Sequence, residues 1–272
     1  MRLKNRKRKE KNSGMISILA SIVQCIMAAS IYQTALRTFS ANSDTAIIKK
    51  TIDFEITGKG DNEAWNKTGW QEFVKIDSGS NNYASKSKML YSDKGIYVLF
   101  SGEDQFITTK DYKDDDDIYE GDVFEVFFQT DETKLPYFEY EINQPGRQLV
   151  LILSGSKNKN LAWSPWRHEY EKHPLILKKV VVTMQSKNTE LVAEKNAAVK
   201  PGAAIRSWTA EIFFPYEVFG LLPSVPPESG VIWRGNFCRI DYDNNKTQEW
   251  TWSKKIKSNF HELKNFGYLV FE

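Results

Sequence analysis

Strict two-residue alternation in short segments is the feature that most constrains this chain. After Thr45 no stretch keeps the 3.6-residue period of a long amphipathic helix. Residues 85–91, 95–103, 122–130, 136–143, 147–153, 179–185, 207–214, 231–242, 249–253 and 267–271 alternate as strands do. Turn formers such as Asp93-Lys94-Gly95 and Gln144-Pro145-Gly146 separate them. Residues 216–222 suit one short turn of helix, 154–160 and 186–204 read as polar excursions, and 223–230 reads as a Pro-rich loop. Many short strands with polar connections predict an all-β fold. The expected form is a two-sheet antiparallel sandwich of the jelly-roll or immunoglobulin-like kind.

Alternation also sorts faces. In 136–143, Phe138, Tyr140 and Ile142 point one way, and Tyr137, Glu139, Glu141 and Asn143 the other. A second face of acids and an amide has two readings, a solvated outer surface or a polar binding surface. This strand alone leaves both open.

The N-terminus has a different character. Its first eleven residues carry seven Lys or Arg against Glu10 alone, and 15–31 is an uncharged apolar run. A basic start followed by such a run reads as an export signal, with Ala28-Ala29-Ser30 as small residues for cleavage. The run is near the lower limit for a membrane span, so an uncleaved anchor is the other form; a buried N-terminal helix is the alternative to export. The chain therefore divides into a signal or anchor with a short linker over 1–44 and one domain over 45–272. Its expected location is extracytoplasmic, whether periplasmic, cell-surface or secreted. A membrane would be met only through that N-terminal segment. The net charge of +2 comes from the same start. Beyond residue 11, 30 Lys+Arg face 34 Asp+Glu, an acidic balance that argues against nucleic acid as a partner.

Familiar catalytic and metal patterns fail on spacing. Of the two cysteines, Cys25 lies in the apolar run, leaving Cys238 for the domain, too few for a disulfide framework or a cysteine zinc site. His261-Glu262 begins like a zinc-protease motif without its second histidine. Asp241-Tyr-Asp243-Asn-Asn245 and the acid run 111–117 both depart from a calcium loop, and each reads as a solvated loop unless it binds calcium through an unusual set of oxygens. Glycoside hydrolysis needs only two carboxyl groups, for which Glu120, Asp122, Glu125, Glu139 and Glu141 are candidates. Acids on strands are more commonly structural or surface groups.

Aromatic residues make up 13% of the chain, more than a core of this size requires, which leaves some for a binding surface. Several motifs occur in one order: Lys86-Ser-Lys-Met-Leu-Tyr-Ser-Asp-Lys-Gly-Ile-Tyr-Val-Leu-Phe100, Asp117-Ile-Tyr-Glu-Gly-Asp-Val-Phe-Glu-Val-Phe-Phe128, Tyr137-Phe-Glu-Tyr-Glu-Ile-Asn143, Ser207-Trp-Thr-Ala-Glu-Ile-Phe-Phe-Pro215, Trp233-Arg-Gly-Asn-Phe-Cys-Arg-Ile240 and Asn265-Phe-Gly-Tyr-Leu269. Together they resemble family 9 carbohydrate-binding modules, and more closely the stand-alone family-9-like proteins of bacteria.

That resemblance implies a non-catalytic β-sandwich that binds a saccharide or polysaccharide, assists polysaccharide breakdown and carries structural calcium. In such modules two aromatic side chains clamp a sugar while polar groups read its hydroxyls. By motif, Tyr119 takes the place of one aromatic and Phe260 the approximate place of the second. Asn143, Glu120 and Glu141 are the expected hydroxyl contacts. Tyr and Phe replace a Trp pair, and Glu141 stands where the sugar-binding modules can carry Arg. Trp163 and Trp166 offer a second platform or simple loop packing. The competing classes are a glycoside-active enzyme using paired carboxylates and a haem-binding sandwich. The latter would need axial ligands from His168, His173, Met89 or Met184.

The export reading predicts a mature protein that lacks residues 1–31 and is recovered outside the cytoplasm. Intact-mass spectrometry of the native protein checks this, and an unprocessed, soluble cytosolic chain would refute it.

Overall fold

The computed structural model describes residues 44–76, 82–156, 159–163, 175–186, 188–193, 196–220 and 222–272, and residues 44–272 form one compact unit. The apolar N-terminal run, Trp166, His168 and His173 lie outside the described residues. No helix among the described residues is long and apolar enough to cross a membrane.

Among those residues the regular structure is fifteen strands and a few 3-10 turns. The strands are β1 (Thr45–Lys50), β2 (Gln71–Glu72), β3 (Val74–Lys75), β4 (Ser85–Tyr91), β5 (Gly95–Glu103), β6 (Val123–Gln129), β7 (Pro136–Ile142) and β8 (Gln148–Ser156), followed by β9 (Lys159–Trp163), β10 (Leu177–Met184), β11 (Glu190–Val192), β12 (Ile205–Pro215), β13 (Ile232–Asp241), β14 (Gln248–Thr251) and β15 (Gly267–Phe271). Hydrogen bonding runs β11-β10-β12-β5-β4-β1-β15-β13-β6-β7-β8-β9, with β2 beside β4 and β14 between β13 and β3. The all-β expectation holds. The short turn expected after Phe214 is the 3-10 turn Tyr216–Phe219. Five strands fall outside the segments read as strands: β1, which begins ahead of Ile47, the two-residue β2 and β3, β9, which starts in the first polar excursion, and β11, which lies in the second.

β1 explains how the sheet closes. Its first four residues pair in parallel with β15, and Lys49 and Lys50 pair in parallel with Leu90 and Tyr91 of β4. The other strand pairs are antiparallel. A strand shared in this way makes one continuous path from the two halves, and the path curls so that they face each other. Phe100 of β5 stacks on Phe124 of β6 at 4.9 Å between ring centroids, and Phe214 of β12 meets Phe128 of β6 edge-on at 6.2 Å. The core between the halves is therefore lined by Phe124, Val126 and Phe128 of β6 and by Phe138, Tyr140 and Ile142 of β7, the last three being the apolar face read from the pattern. At ~25 cal/mol per Å² these large buried rings supply much of the hydrophobic stabilisation.

One charged side chain crosses the core. Arg239 of β13 is fully buried and reaches the opposite half, where its guanidinium donates to Ser85 Oγ of β4 and to the carbonyl of Glu103 in β5. It also pairs with Asp241 at 2.6 Å and with Asp104 at 3.2 Å. Tyr83, Phe124 and Trp250 lie within 6 Å of it as cation–π partners. Gly102 makes room for this crossing. A Cβ there would come within 2.8 Å of both Arg239 Nη1 and Phe124 Cζ. Gly102→Ala should therefore destabilise the fold by about 1–3 kcal/mol, read as a lower denaturant midpoint at unchanged slope. A midpoint equal to wild type would show that the guanidinium can move aside.

Candidate functional site

The outer faces of β6, β7 and β8 do not meet solvent as an outer sandwich face would. Glu125 lies directly opposite Glu141 across the β6–β7 pair, and Glu139 lies opposite Phe127. All three acids are buried, at 3%, 2% and 4% relative exposure. Of the two readings of this face, the solvated surface is excluded. The acids form the floor of a cleft of about 540 Å³, completed by Leu149, Leu151 and Leu153 of β8, Ile240 of β13 and Glu249 of β14. One wall carries Asp115, Asp117 and Tyr119, and the other Ser258, Asn259, Phe260 and His261.

Each wall is held by buried hydrogen bonds. The segment 105–121, which carries Tyr119, is bracketed by Asp104 and Asp122. Asp122 accepts from the backbone N–H groups of Thr108 at 2.7 Å and Tyr242 at 2.8 Å, and the Gln144 amide donates to both aspartates. Within it Ile118 turns inward and Tyr119 outward on a single 3-10 turn. The opposite wall hangs from Arg234 of β13, whose guanidinium donates to the carbonyls of Lys264 and Phe266. Tyr137 Oη lies 2.8 Å from His261 Nδ1 and fixes that ring over the floor.

The expected site residues separate into two groups. Tyr119, Glu141 and Phe260 line the same cleft. Tyr119 presents 41% of its surface to solvent, so one ring face is available for stacking. Phe260 is 7% exposed and packs with Ile256, Phe266 and, edge-on at 6.5 Å, Phe127, so little of its surface is left for stacking. Glu120 and Asn143 are not among the residues lining the cleft. Glu120 is exposed and ion-paired with Lys110. Asn143 is buried in the β7–β8 turn, where its Oδ1 accepts from the Arg147 N–H at 2.8 Å. Trp163 belongs to β9 by its backbone; its side chain is outside the described residues. Met89 is packed in the main core.

Glu125, Glu139 and His261 join the cleft although the resemblance did not place them there. The alternation puts Glu125 and Glu139 on this face, but their enclosure depends on residues 256–266, far along the chain. Burial raises the pKa of all three acids, helped for Glu125 by Glu139 and Glu249 and for Glu141 by Glu125 and Glu139. Glu139 is pushed up to about 8 by burial, partly offset by the neighbouring Glu141 side chain. Burial lowers the pKa of His261, so its contact with Glu139 at 3.8 Å is between neutral groups near neutral pH.

Asp241 and Asp243 correct the expectation of a solvated loop, because both are buried. Asp104, Asp122 and Asp241 bring ligand atoms within 4.8 Å of one another, the one such group of acids or other metal-ligating residues among the described residues. The fit to calcium is poor. Arg239 already occupies the cationic position, and backbone, amide and indole N–H groups take the oxygens, Trp208 Nε1 donating to Asp104 at 3.1 Å. A calcium ion needs six to eight oxygens and would have to displace a guanidinium.

The scaffold is all-β, with a lateral cleft between an exposed tyrosine and a floor of buried acids. Residues 56–159 match the family described as Carbohydrate family 9 binding domain-like, which bears out the resemblance read from the motifs. The fold is similar to a "putative carbohydrate-binding protein" from Bacteroides uniformis ATCC 8492, at TM-score 0.65 and 18% identity over 85% of this chain and 100% of that one. It is also similar to a family 9 carbohydrate-binding module from Caldicellulosiruptor kristjanssonii, solved with cellotriose (TM-score 0.54, 14% identity, 84% of this chain and 93% of that one). The same organism's module with glucose gives 0.51 at 14% identity, over 83% and 95% of the two chains. No curated protein matches the sequence.

The buried acids predict a pH dependence of stability. Glu139 stays protonated in the fold up to about pH 8, while its ordinary value is 4.5. The folded state therefore binds more protons across that window, and stability falls as pH rises through it. Asp104, raised to about 7 chiefly by burial, acts in the same direction. Melting temperature should drop between pH 5 and 8.5, and the Glu139→Gln/Glu141→Gln double variant should show a shallower drop. Equal slopes would mean that these carboxyl groups ionise freely in the fold.

Proposed function

We propose that this protein is an exported, non-catalytic carbohydrate-binding protein that stacks a sugar on Tyr119 over the buried glutamic acids that floor the cleft. One observation carries the reading: a half-exposed aromatic ring stands at the rim of a cleft whose floor is acids and leucines. A pyranose has an apolar C–H face and a rim of hydroxyl donors, which match a ring face and carboxyl oxygens respectively. The match to the family 9 domain and the saccharides bound by the similar modules support the same class of ligand. Service beside polysaccharide-degrading enzymes fits such a module, as does export through the basic and apolar N-terminal residues. Structural calcium, implied by the family, has no fitting site at Asp104, Asp122 and Asp241.

The buried acids favour one second reading, glycoside hydrolysis, since perturbed carboxyl groups in a cleft are what such enzymes use. Their placement weighs against it. Glu125, Glu139 and Glu141 share one sheet face, whereas hydrolysis sets an acid and an ionised carboxylate on opposite sides of the bond. Release of reducing sugar by the purified protein would reverse the preference.

Covering part of a sugar face contributes roughly 1–2 kcal/mol at ~25 cal/mol per Å², so the affinity expected is on the order of micromolar to millimolar. Tyr119→Ala should weaken binding about tenfold in titration calorimetry and leave the melting temperature within about a degree or two, since the ring is largely outside the core. Equal affinity of wild type and variant for a sugar would move the platform elsewhere.

A further inference from the structure

We propose that the cleft is built for a saccharide carrying a protonated amine, its ammonium seated against Glu139 and Glu141. The inference rests on the sugar-binding reading of the cleft and names the chemical class of sugar.

Charge is the first argument. The cleft is lined by Asp115, Asp117, Glu125, Glu139, Glu141 and Glu249, and among the described residues that line it His261 is the one basic side chain. Surfaces that read only neutral hydroxyls have no need of six carboxyl groups in one cavity.

Unmet hydrogen bonding is the second. Glu139 Oε2 and Glu141 Oε2 are buried and have no hydrogen-bond partner. Such orphaned acceptors are costly unless a ligand supplies the donors. His261 Nδ1 stands 3.8 Å from Glu139 Oε2, beyond hydrogen-bond distance, and is engaged with Tyr137 Oη. An ammonium brings three N–H donors together with the positive charge the floor lacks.

Spacing separates this ligand from a bare metal ion. Among the described residues only Asp104, Asp122 and Asp241 converge as a single ion would require, and those belong to the Arg239 network. The cleft acids are instead spread over two strands, Glu125 across from Glu141 and Glu139 two residues before Glu141 in β7. A spread set of acceptors suits a ligand of sugar size, with the ring on Tyr119 and the amine below it. Burial raises the pKa of Glu125, Glu139 and Glu141, that of Glu139 to about 8, so seating a cation against Glu139 should expel a proton.

Three β-linked trimers that differ only at C2 test the proposal on the full chain by calorimetry at pH 7: glucosamine trimer, cellotriose and N-acetylglucosamine trimer. Glucosamine trimer should bind at least tenfold tighter than the other two, and its heat should vary between phosphate and Tris as proton release requires. Glu139→Gln/Glu141→Gln should bring the glucosamine trimer and cellotriose within about twofold of each other. Tyr119→Ala should weaken them by a similar factor. Cellotriose binding as tightly as the glucosamine trimer, still sensitive to Tyr119→Ala, would overturn the amine preference and leave the sugar platform standing. Binding of none of the three would overturn both readings. Calcium chloride titrating the cleft, with loss in the double variant and no preference among the sugars, would replace the amine by a divalent cation.

Discussion

The buried guanidinium of Arg239 is the interaction on which the arrangement depends. It starts on β13 in one half of the sheet and ends on β4 and β5 in the other, so it ties the halves at a point where rings alone would specify no register. Asp104 and Asp241 pair with it directly, Asp122 shares the Gln144 amide donor with Asp104, and Asp243 donates its backbone N–H to Asp241. Burial opposes its charge, but Asp104, Asp241 and Asp122 outweigh that and raise its pKa. One cation cannot neutralise four carboxylates, and the raised values of Asp104, Asp122 and Asp241 follow from that shortfall and from burial. Buried ion pairs are poor sources of net stability, because desolvation cancels much of the attraction. What this network supplies is position: Asp104 and Asp122 fix the two ends of the segment that presents Tyr119.

β6 and β7 show a second constraint, since each buries both its faces. One face of each is aromatic and aliphatic and fills the main core, as alternation requires. The other carries three glutamic acids that no core would select. Their burial raises the cost of ionisation and leaves two oxygens without donors. Replacement by aliphatic residues would satisfy the same space at lower cost. Local rules broken in this way, within an otherwise consistent sheet, are characteristic of a site where recognition outranks stability.

Much of the scaffold was legible in the sequence because period-two patterning is local. Residues 85–91, 95–103 and 267–271 are strands with those limits, and the two faces of 136–143 divide as the alternation says. The closure through β1 was not legible, since a parallel strand shared by two neighbours has no local signature. β9 and β11 sit in polar stretches whose pairing is decided by β8 and β10. For the site, the pattern shows which way Glu139 and Glu141 point but not whether a distant loop covers them. Residues 256–266 do so, more than a hundred positions away. Glu120 and Asn143 illustrate the same limit: adjacency to Tyr119 and Glu141 in sequence did not bring them into the cleft, because a 3-10 turn and a hairpin turn redirect them.

The two walls of the cleft have a common origin in β13. Arg239 and Arg234 are five residues apart, an odd spacing, so they leave the strand on opposite faces. Arg239 enters the core and, through Asp104 and Asp122, holds the Tyr119 wall. Arg234 stays on the cleft side, stacks on Tyr268 at 4.2 Å and holds the carbonyls beyond His261. Both loops are thereby fastened to a central strand by charged hydrogen bonds. Walls held by buried hydrogen bonds need little further ordering, and loop ordering is among the costs that any binding event has to meet. The same bonds keep Glu125, Glu139 and Glu141 covered, two of them with an oxygen that lacks a hydrogen-bond partner.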